Sequence, residues 1–448
     1  MTQTEKVRFT ELWRAGEFRA LWLAEAGSVF GDQLARVALS LLVYARTSSA
    51  LLTALTYALT FLPAILGGLL LSSLADRFPR RQVIIVTDVV RGILAGLMAI
   101  PGMPLGVLWA LIALLTLAGG PFKAAQLALL PQVVEDDRYT AALALRQIST
   151  QSAQVAGFAL GGFLVAILSA YGVLLLNGAT FLVSAVFVAV GVRARPAARR
   201  DKSSSTAQPD SGRAAATLAP IFLLVSLVGL WVVPEGLAAP YANALGASAF
   251  AVGVLMAADP VGSVLGGVLA AKRPQDNPTL GSLLWPAFAA GVPLIACATG
   301  PGLWISALFW AVSGVGSTIF LIRMLAYVAV FVPDAKRGTV MGRISTCVYT
   351  SQGVAIAGSG VVADKLGSFT TVAVSGGAAS AMVIVTALVW GRARQRTEPA
   401  DEQRPDAGGT GQISLLRIAT SGGRAGLDGP AGEDNTGTRH LETKAKPV

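Results

Sequence analysis

Residues 62–81 read Leu62-Pro-Ala-Ile-Leu-Gly-Gly-Leu-Leu-Leu-Ser-Ser-Leu-Ala-Asp-Arg-Phe-Pro-Arg-Arg81, an apolar run that ends in one acid and three arginines. With the residues before it, the run has the roughly 20 apolar positions that a helix needs to cross a bilayer. Clustered arginines beside such a segment are typical of a loop that stays on the cytoplasmic side. The junction therefore predicts a membrane-spanning helix followed by a cytoplasmic loop.

The composition of the whole chain agrees with this interpretation. The chain has 448 residues, of which 54% are hydrophobic and only 13% charged, whereas soluble domains carry about 25% charged residues. Most of residues 20–391 form an apolar block between two polar ends. A block this apolar cannot supply the polar surface of two or three soluble domains, so the chain is predicted to lie in a membrane.

Breaks at proline, glycine and charged clusters divide the apolar block into twelve segments of spanning length. The predicted spans are residues 20–46, 50–75, 82–101, 104–128, 140–170, 172–192, 216–240, 248–271, 280–299, 302–329, 341–363 and 369–391.

The distribution of basic residues supports this count. With both termini placed in the cytoplasm, 28 of the 35 Lys and Arg residues fall on the cytoplasmic side, as the positive-inside rule requires. The net charge of +10 is then an orientation signal, and no nucleic-acid partner is expected. The Arg-, Ala- and Gly-rich usage favours a bacterial inner (plasma) membrane, in which the chain would be multi-pass.

The block also contains an internal repeat. An offset of about 199 residues aligns Gly161 with Gly360, and Leu66-Gly-Gly with Leu265-Gly-Gly. We therefore expect an all-α membrane protein with twelve transmembrane helices in two pseudo-symmetric six-helix halves. The predicted domains are a cytoplasmic N-terminus (1–19), an N-terminal bundle (20–192), a cytoplasmic linker (193–215), a C-terminal bundle (216–391) and a disordered cytoplasmic tail (392–448).

The loop after the second span resembles the Gly-x-x-x-Asp-Arg-x-Gly-Arg-Arg motif of the major facilitator superfamily. The matching charged positions are held by Asp76, Arg77, Arg80 and Arg81. Ser72 and Pro79 replace two glycines of that motif. The resemblance covers about residues 10–391 and implies a transporter whose halves rock about a central site, with this loop latching one conformation. Alternatively, the arginines serve only as an orientation signal.

Other stretches are similar to the branch of this superfamily that contains the enterobactin exporter and macrolide efflux proteins. These stretches are Phe18-Arg-Ala-Leu-Trp22, Gly31-Asp32, Asp88-Val-Val-Arg91, Leu130-Pro131-Gln-Val-Val and Asn177-Gly-Ala-Thr-Phe181. Asp88 and Arg91 extend the predicted gate into the third span.

The fifth span also carries a stretch that is similar to a family motif. Gly157, Gly161 and Gly162 match the antiporter motif Gly-Pro-x-x-Gly-Gly, but Phe158 replaces its proline. The alternative is that these glycines only pack helices closely.

Charged residues inside spans are costly, at roughly 2.5 to 3.5 kcal/mol each on insertion scales, so they suggest functional sites. Asp32 and Arg36 stand four positions apart, and Asp88 and Arg91 three, so each pair is expected to neutralise itself on one helix face. On the first span Glu25, Ser28, Asp32, Arg36 and Ser40 follow steps of three or four. This polar stripe is predicted to line a cavity.

Glu235 and Asp259 have no basic residue within four positions, and each adjoins proline and glycine. An unpaired carboxyl at low dielectric can bind a proton near neutral pH. We therefore expect Glu235, helped by Asp32, to couple proton entry to export or to bind a cationic substrate. The alternative is a permanent ion pair between Glu235 and Arg146 or Arg323 from another helix.

The pattern predicts a secondary transporter, most simply a proton-coupled exporter of a small amphipathic compound such as a drug, an antibiotic or a siderophore. An importer, a facilitator or a non-transporting sensor of the same fold remains open. An ATP-driven pump is disfavoured because no Gly-x-x-x-x-Gly-Lys-Ser/Thr loop occurs, and an enzyme because the adjacent acids Asp136 and Asp137 lie in a short loop. No cofactor or metal is expected. The expected partners are the substrate, protons and lipid, and the chain is expected to be a monomer.

Overall fold

A computed structural model describes residues 15–71, 73–134, 138–196, 212–272, 279–332 and 334–397. The chain divides into a compact unit of residues 1–393 and a second unit of residues 394–448, which is described only to Thr397. Much of the predicted N-terminal segment, the centre of the linker and almost all of the tail therefore lie outside the described residues.

Every regular element within those ranges is helical, because a backbone in lipid must satisfy its own hydrogen bonds. In chain order the α-helices are α1 (Gly16–Thr47), α2 (Ala50–Ala58), α3 (Leu62–Leu66), α4 (Leu74–Arg77), α5 (Arg80–Met98), α6 (Leu105–Val133), α7 (Tyr139–Gly191), α8 (Gly212–Trp231), α9 (Val233–Gly236), α10 (Ala238–Ala244), α11 (Ala249–Lys272), α12 (Leu280–Ile295), α13 (Leu303–Phe331), α14 (Asp334–Leu366) and α15 (Ser368–Thr397).

Eight helices in the described part of the chain are long and apolar enough to cross a membrane, or nine with the bent segment of α8 to α10. The 53-residue α7 counts once among them, but Ser169, at φ 65°, breaks it between the predicted fifth and sixth spans. Two further helices, α5 and α14, have spanning length but are more polar. The architecture is all-helical, as predicted. The eight apolar helices, the second part of α7, the bent segment, α5 and α14 are together consistent with twelve spans.

The second and seventh spans are broken helices. The second consists of α2, a break at residues 59–61, α3 with Pro63 in its first turn, and a π-helical turn at Gly67–Leu71. In the seventh, Ile221–Gly236 and Ala238–Ala244 meet at 47°. Proline lacks an N–H and clashes with the preceding turn, which accounts for interruptions at these positions.

Glycines set the closest helix contacts. A Cβ atom on Gly157 would lie 2.7 Å from the Phe30 carbonyl oxygen of α1, and one on Gly161 would lie 2.8 Å from Val37. Gly162 instead packs against α11, where its Cβ would lie 2.9 Å from the backbone nitrogen of Gly253. The three glycines of the predicted packing motif therefore join α7 to the first span and to the eighth.

Apolar side chains fill four clusters inside the bundle and also cover its outside. One cluster combines residues of α1, α2 and α7 with residues of α9 to α14, so the first and last six predicted spans share a core. Many large apolar side chains are exposed on the exterior, among them Val190 at 84% and Trp304 at 69%. An exterior of this kind suits contact with lipid.

We predict that Gly162→Ala destabilises the protein by about 1–3 kcal/mol, because the added methyl group meets the α11 backbone and cannot be accommodated without a shift. The melting temperature of the purified protein in detergent measures this effect. Gly96→Ala is the matched control, since a Cβ at Gly96 of α5 meets nothing within 4 Å. Equal melting temperatures for the two variants would contradict the predicted close packing.

Candidate functional site

A cavity of about 360 Å³ lies inside the bundle. Its walls come mainly from the first six predicted spans, and Tyr349 of α14 borders it from the other half. The charged residues of its wall are Glu25, Asp32, Arg36, Arg91 and Lys123. A pocket of this size can hold a small organic molecule.

The polar stripe of α1 faces this cavity, as its spacing predicts. Glu25, Ser28, Asp32 and Arg36 all line the wall, whereas Ser40 is buried at 2% exposure and does not. A helix with polar residues at every third or fourth position presents them on one face, and here that face borders the cavity.

Glu25 is neutralised from another helix. Its two carboxylate oxygens accept hydrogen bonds from Nε and Nη2 of Arg146 at 2.5 and 2.6 Å. Arg146 also donates to the side-chain oxygen of Gln126 at 3.4 Å. This bidentate geometry holds both charges at membrane depth without a net charge.

The prediction that Asp32 pairs with Arg36 on its own helix is wrong. Asp32 instead accepts a hydrogen bond from Arg91 of α5 at 2.8 Å, and Arg91 also contacts Asp88 at 3.5 Å. Asp88 is completely buried and accepts a further hydrogen bond from Ser184 at 2.5 Å. Two acids thus compete for Arg91, and the expected Asp88–Arg91 pair is only the longer of its two contacts.

Arg36 is consequently not paired with Asp32. Among the described residues, no salt bridge includes it. Its guanidinium carbon lies 4.8 Å from the ring centre of Phe61 and 5.7 Å from that of Tyr57. Two aromatic rings therefore supply cation–π attraction to this charge.

Glu235 lies at the break of the seventh span, in α9, and is 5% exposed. Its Oε2 accepts a hydrogen bond of 2.6 Å from the hydroxyl group of Tyr57 in α2, which joins the second and seventh spans. The charge of Arg36 acts on both Tyr57 and Glu235. Neither Glu235 nor Tyr57 lines the cavity, whereas Arg36 does, so Arg36 connects this hydrogen-bonded pair to the space that a substrate would occupy.

Asp259 lies in α11 close enough to Glu235 for the two carboxyls to interact electrostatically. It is half-buried, and a Cβ atom on Gly314 of α13 would lie 2.9 Å from its Oδ1. No ion pair in the described part of the chain includes Asp259.

Neither arginine offered as a permanent partner of Glu235 is bound to it. Arg146 is held by Glu25, and Arg323 donates to the backbone oxygen of Ser282 at 3.1 Å while lying over Trp285 at 5.0 Å. The alternative of a fixed ion pair is therefore not supported.

The predicted gate loop is described in part. Arg80 donates to the Ala128 carbonyl oxygen at 2.7 Å, and Arg81 donates to the Val188 and Ala189 carbonyl oxygens. The Val188 and Ala189 carbonyls lie in the last turn of α7, where the helix dipole favours cations, and Ala128 lies one turn before the end of α6. Arg77 is exposed, and Ser72 and the side chain of Asp76 lie outside the described residues.

A contact between the halves that the sequence analysis missed lies at the opposite end of the bundle. Asp364, near the end of α14, accepts hydrogen bonds from the Ala50 nitrogen at 2.7 Å, Ser49 Oγ at 3.0 Å and the Leu51 nitrogen at 3.3 Å. A carboxylate at a helix N-terminus is favourable because free N–H groups point at it. We call this contact the Asp364 clip.

The sequence did contain a signal for the clip. Ala363-Asp364-Lys365 repeats the acid–base order of Ala75-Asp76-Arg77, and it follows Gly360, which packs on Leu51 with its Cβ position 2.7 Å from the Leu51 Cα. Tyr57 had no comparable signal, since one tyrosine within an apolar span usually packs in the core.

We predict that Asp364→Asn loosens the Asp364 clip, because the amide keeps one acceptor but loses the negative charge that the α2 N-terminus favours. Spin labels at positions 103 and 301, in loops at this end of the two halves, would then show a larger population at longer distances. Lys365→Gln is the control, and labels should be placed in a background without native cysteines. Identical distance distributions for both variants would contradict the role of the clip.

The profile of a family described as the Major Facilitator Superfamily matches residues 21–285, from α1 into α12. No curated protein sequence matches the chain at a significant level.

Several solved transporter structures share the fold. A POT family transporter in complex with 5-aminolevulinic acid is 12% identical, with a TM-score of 0.67, and the match covers 84% of this chain and 96% of that one. A bacterial homologue of the human lysosomal transporter Spinster, inward-facing and unoccupied, is 16% identical with a TM-score of 0.65 and coverage of 86% and 97%. A bacterial homologue of the iron transporter ferroportin, inward-facing, is 17% identical with a TM-score of 0.62 and coverage of 84% and 98%. At these identities the likeness concerns the fold alone.

Proposed function

The chain belongs to the Major Facilitator Superfamily, and from this membership we propose that it is a proton-coupled exporter of a small amphipathic organic compound, such as a drug, an antibiotic or a siderophore. It is a multi-pass membrane transporter and not an enzyme. Proton coupling, the exported compound and the efflux direction are the parts that we propose.

The hydrogen bond between Tyr57 and Glu235 carries the proposal of proton coupling. Glu235 is buried, has a neutral hydroxyl donor at 2.6 Å, and takes part in no ion pair among the described residues. A carboxyl held by a neutral donor can accept a proton without breaking an ion pair. Because Tyr57 and Glu235 belong to different halves, a change in the charge of Glu235 acts directly on the contact between them.

The charges around Glu235 support one exchangeable proton. Glu235 and Asp259 interact with each other, and Arg36 is the cation that acts on Glu235. Two acids and one cation are balanced when one of the acids holds a proton. Loss of that proton leaves a net negative charge at membrane depth, which favours a rearrangement of the helices that carry these groups.

The transport cycle that we propose is a rocking of residues 20–192 against residues 216–391 about the central cavity. The Asp364 clip and the Gly162–Gly253 contact would open when the cavity faces the other side, and the loop of Asp76, Arg77, Arg80 and Arg81 would latch that state. We place the protein as a monomer in a bacterial inner membrane. We place both of its termini in the cytoplasm, because the Lys and Arg distribution favours this orientation.

We predict that Glu235→Gln abolishes most of the pH dependence of transport while the protein still folds, because an amide keeps the acceptor for Tyr57 but cannot exchange a proton. Counterflow, which needs no proton gradient, should persist. Transport driven by an imposed pH gradient in proteoliposomes measures the loss. Glu17→Gln, an acid outside the cavity that binds Arg195 at 2.6 Å, is the control. Unchanged proton-driven transport in Glu235→Gln would refute the coupling role.

Tyr57→Phe should shift the pH profile of transport, because Glu235 then loses its hydroxyl donor at nearly constant side-chain volume. Trp109→Phe is a control of similar depth, since it removes a hydrogen bond to Thr56 on the face of α2 away from Glu235. Equal pH profiles for wild type and Tyr57→Phe would show that the hydrogen bond does not influence coupling.

Import is the second candidate, and the position of Arg36 favours it. Arg36 lines the cavity and its charge acts on Glu235, so protonation of Glu235 would release this cation for a ligand and let proton and ligand bind together. A compound panel tested for accumulation in cells with and without the protein, with and without a protonophore, distinguishes the two directions. Lower accumulation that the protonophore reverses indicates proton-driven export, and higher accumulation that it abolishes indicates import.

A further inference from the structure

We propose that the substrate is an organic anion whose negative group binds between Arg36 and Lys123 and whose apolar part occupies the rest of the cavity. This inference rests on the proposed transport function and names the chemical class of its substrate. The anion site itself is compatible with either direction of transport.

Two cations of the cavity wall, Arg36 and Lys123, are available to a ligand. Glu25 pairs with Arg146, whereas Asp32 shares Arg91 with Asp88. Arg36 and Lys123 also line the wall, and neither forms an ion pair with another residue in the described ranges. An uncompensated cation inside a membrane protein is costly unless a ligand or water neutralises it.

The two cations come from different helices and are both open to the cavity. Arg36 is on α1 and half-buried, with its guanidinium lying over Phe61. Lys123 is on α6 and exposed, ten residues before the end of that helix at Val133. At 1.5 Å per residue this places it about 15 Å from the helix end, well within the span. An anion that enters the cavity thus meets two positive groups and no free acid of comparable exposure.

The remainder of the wall suits an apolar body. Leu39, Met98, Ile112 and Leu115 line it, together with Tyr349 from the other half. Binding sites for small molecules commonly combine an apolar lining with a few charged groups that fix the orientation of the ligand. The wall therefore fits an amphipathic anion better than an inorganic ion.

Arg36 also links the substrate to the proton. Its guanidinium lies near the ring of Tyr57, which donates to Glu235, and the Arg36 side chain also lines the cavity. When Glu235 is ionised it competes with the anion for Arg36, and when Glu235 holds a proton Arg36 is available to the anion. Proton and anion thus bind together, as in symport, so an inward proton gradient would drive uptake and this coupling favours the import candidate.

Binding by the purified full chain in detergent tests this proposal. The probes are naphthoate with its methyl ester and naphthylmethylamine, and indole acetate with its methyl ester and tryptamine, because each set keeps one ring system and changes only the charge. Ligand binding to the folded state raises the melting temperature. We expect naphthoate and indole acetate to stabilise the protein at millimolar concentration and to do so more than their esters or amines.

Substitutions of Lys123 and Arg36 test whether these two residues bind the anion. Lys123→Gln should weaken binding of the stabilising anion by roughly tenfold, as expected for the loss of one charged hydrogen bond. Lys123→Arg should retain binding, and Arg323→Gln, a membrane cation bound to the Ser282 backbone outside the cavity, should be unaffected. Arg36→Gln should act like Lys123→Gln, and if it fails to fold, the Lys123 variants still decide the question.

The proposal is overturned if the amines or esters bind as well as the acids, if no acid stabilises the protein, or if Lys123→Gln and Arg323→Gln have equal effects. These outcomes are distinct from a failure of proton coupling. Anion binding with unchanged proton-driven transport in Glu235→Gln would leave the substrate class standing and remove the coupling role. Loss of proton-driven transport in Glu235→Gln without any anion binding would keep the coupling role of Glu235 and remove the proposed substrate class.

Discussion

A charged group inside a bilayer must be neutralised by a partner on another element, and the interior of this protein follows from that requirement. Arg146 binds Glu25, and Arg91 binds Asp32, each across helices of the first six spans. Arg91 also contacts Asp88, and the charged groups of the interior without an ion pair in the described part of the chain are Arg36, Lys123, Glu235 and Asp259. The pairs hold the bundle together, and the unmatched groups are the ones available to a proton and a substrate.

The sequence predicted the membrane fold, but it did not predict which charged residues contact each other. Spacing on one helix placed Asp32 beside Arg36, because residues four apart share a face. In the structure Arg91 of α5 reaches Asp32 at 2.8 Å, an interaction between residues 59 positions apart. Contacts of this kind depend on how helices cross, which no local pattern encodes. For the same reason, no local pattern could show that Tyr57, which lies 178 positions away, donates a hydrogen bond to Glu235.

What the sequence could predict was the character of each element. The repeat of polar residues from Glu25 to Arg36 requires a face turned away from lipid, and that face lines the cavity. Proline and glycine adjoin both Glu235 and Asp259, but only the seventh span bends, by 47° beside Glu235, whereas α11 continues through Pro260. The inference from the polar stripe succeeded because it concerns a single helix, for which periodicity suffices.

The halves meet through contacts suited to opening and closing. Gly162 and Gly253 bring two backbones together without interlocking side chains, and the Asp364 clip is an exposed, charge-assisted contact at the start of α2. Contacts of this kind can part at modest cost, whereas the buried ion pairs lie within the first half and would move with it as a unit. The Tyr57–Glu235 hydrogen bond joins the second and seventh spans, which belong to different halves. A change in the charge of Glu235 therefore acts on the interface between the halves.

Infrared difference spectroscopy of the reconstituted protein tests the central claim most directly, because it observes the carboxyl group itself. On acidification, a carbonyl stretching band of a protonated carboxylic acid should appear in the wild-type spectrum and be absent from that of Glu235→Gln. It should also shift in Tyr57→Phe, which removes the hydrogen-bond donor. A band that is unchanged in Glu235→Gln, or the absence of any such band across the pH range in which the protein transports, would contradict proton binding at Glu235.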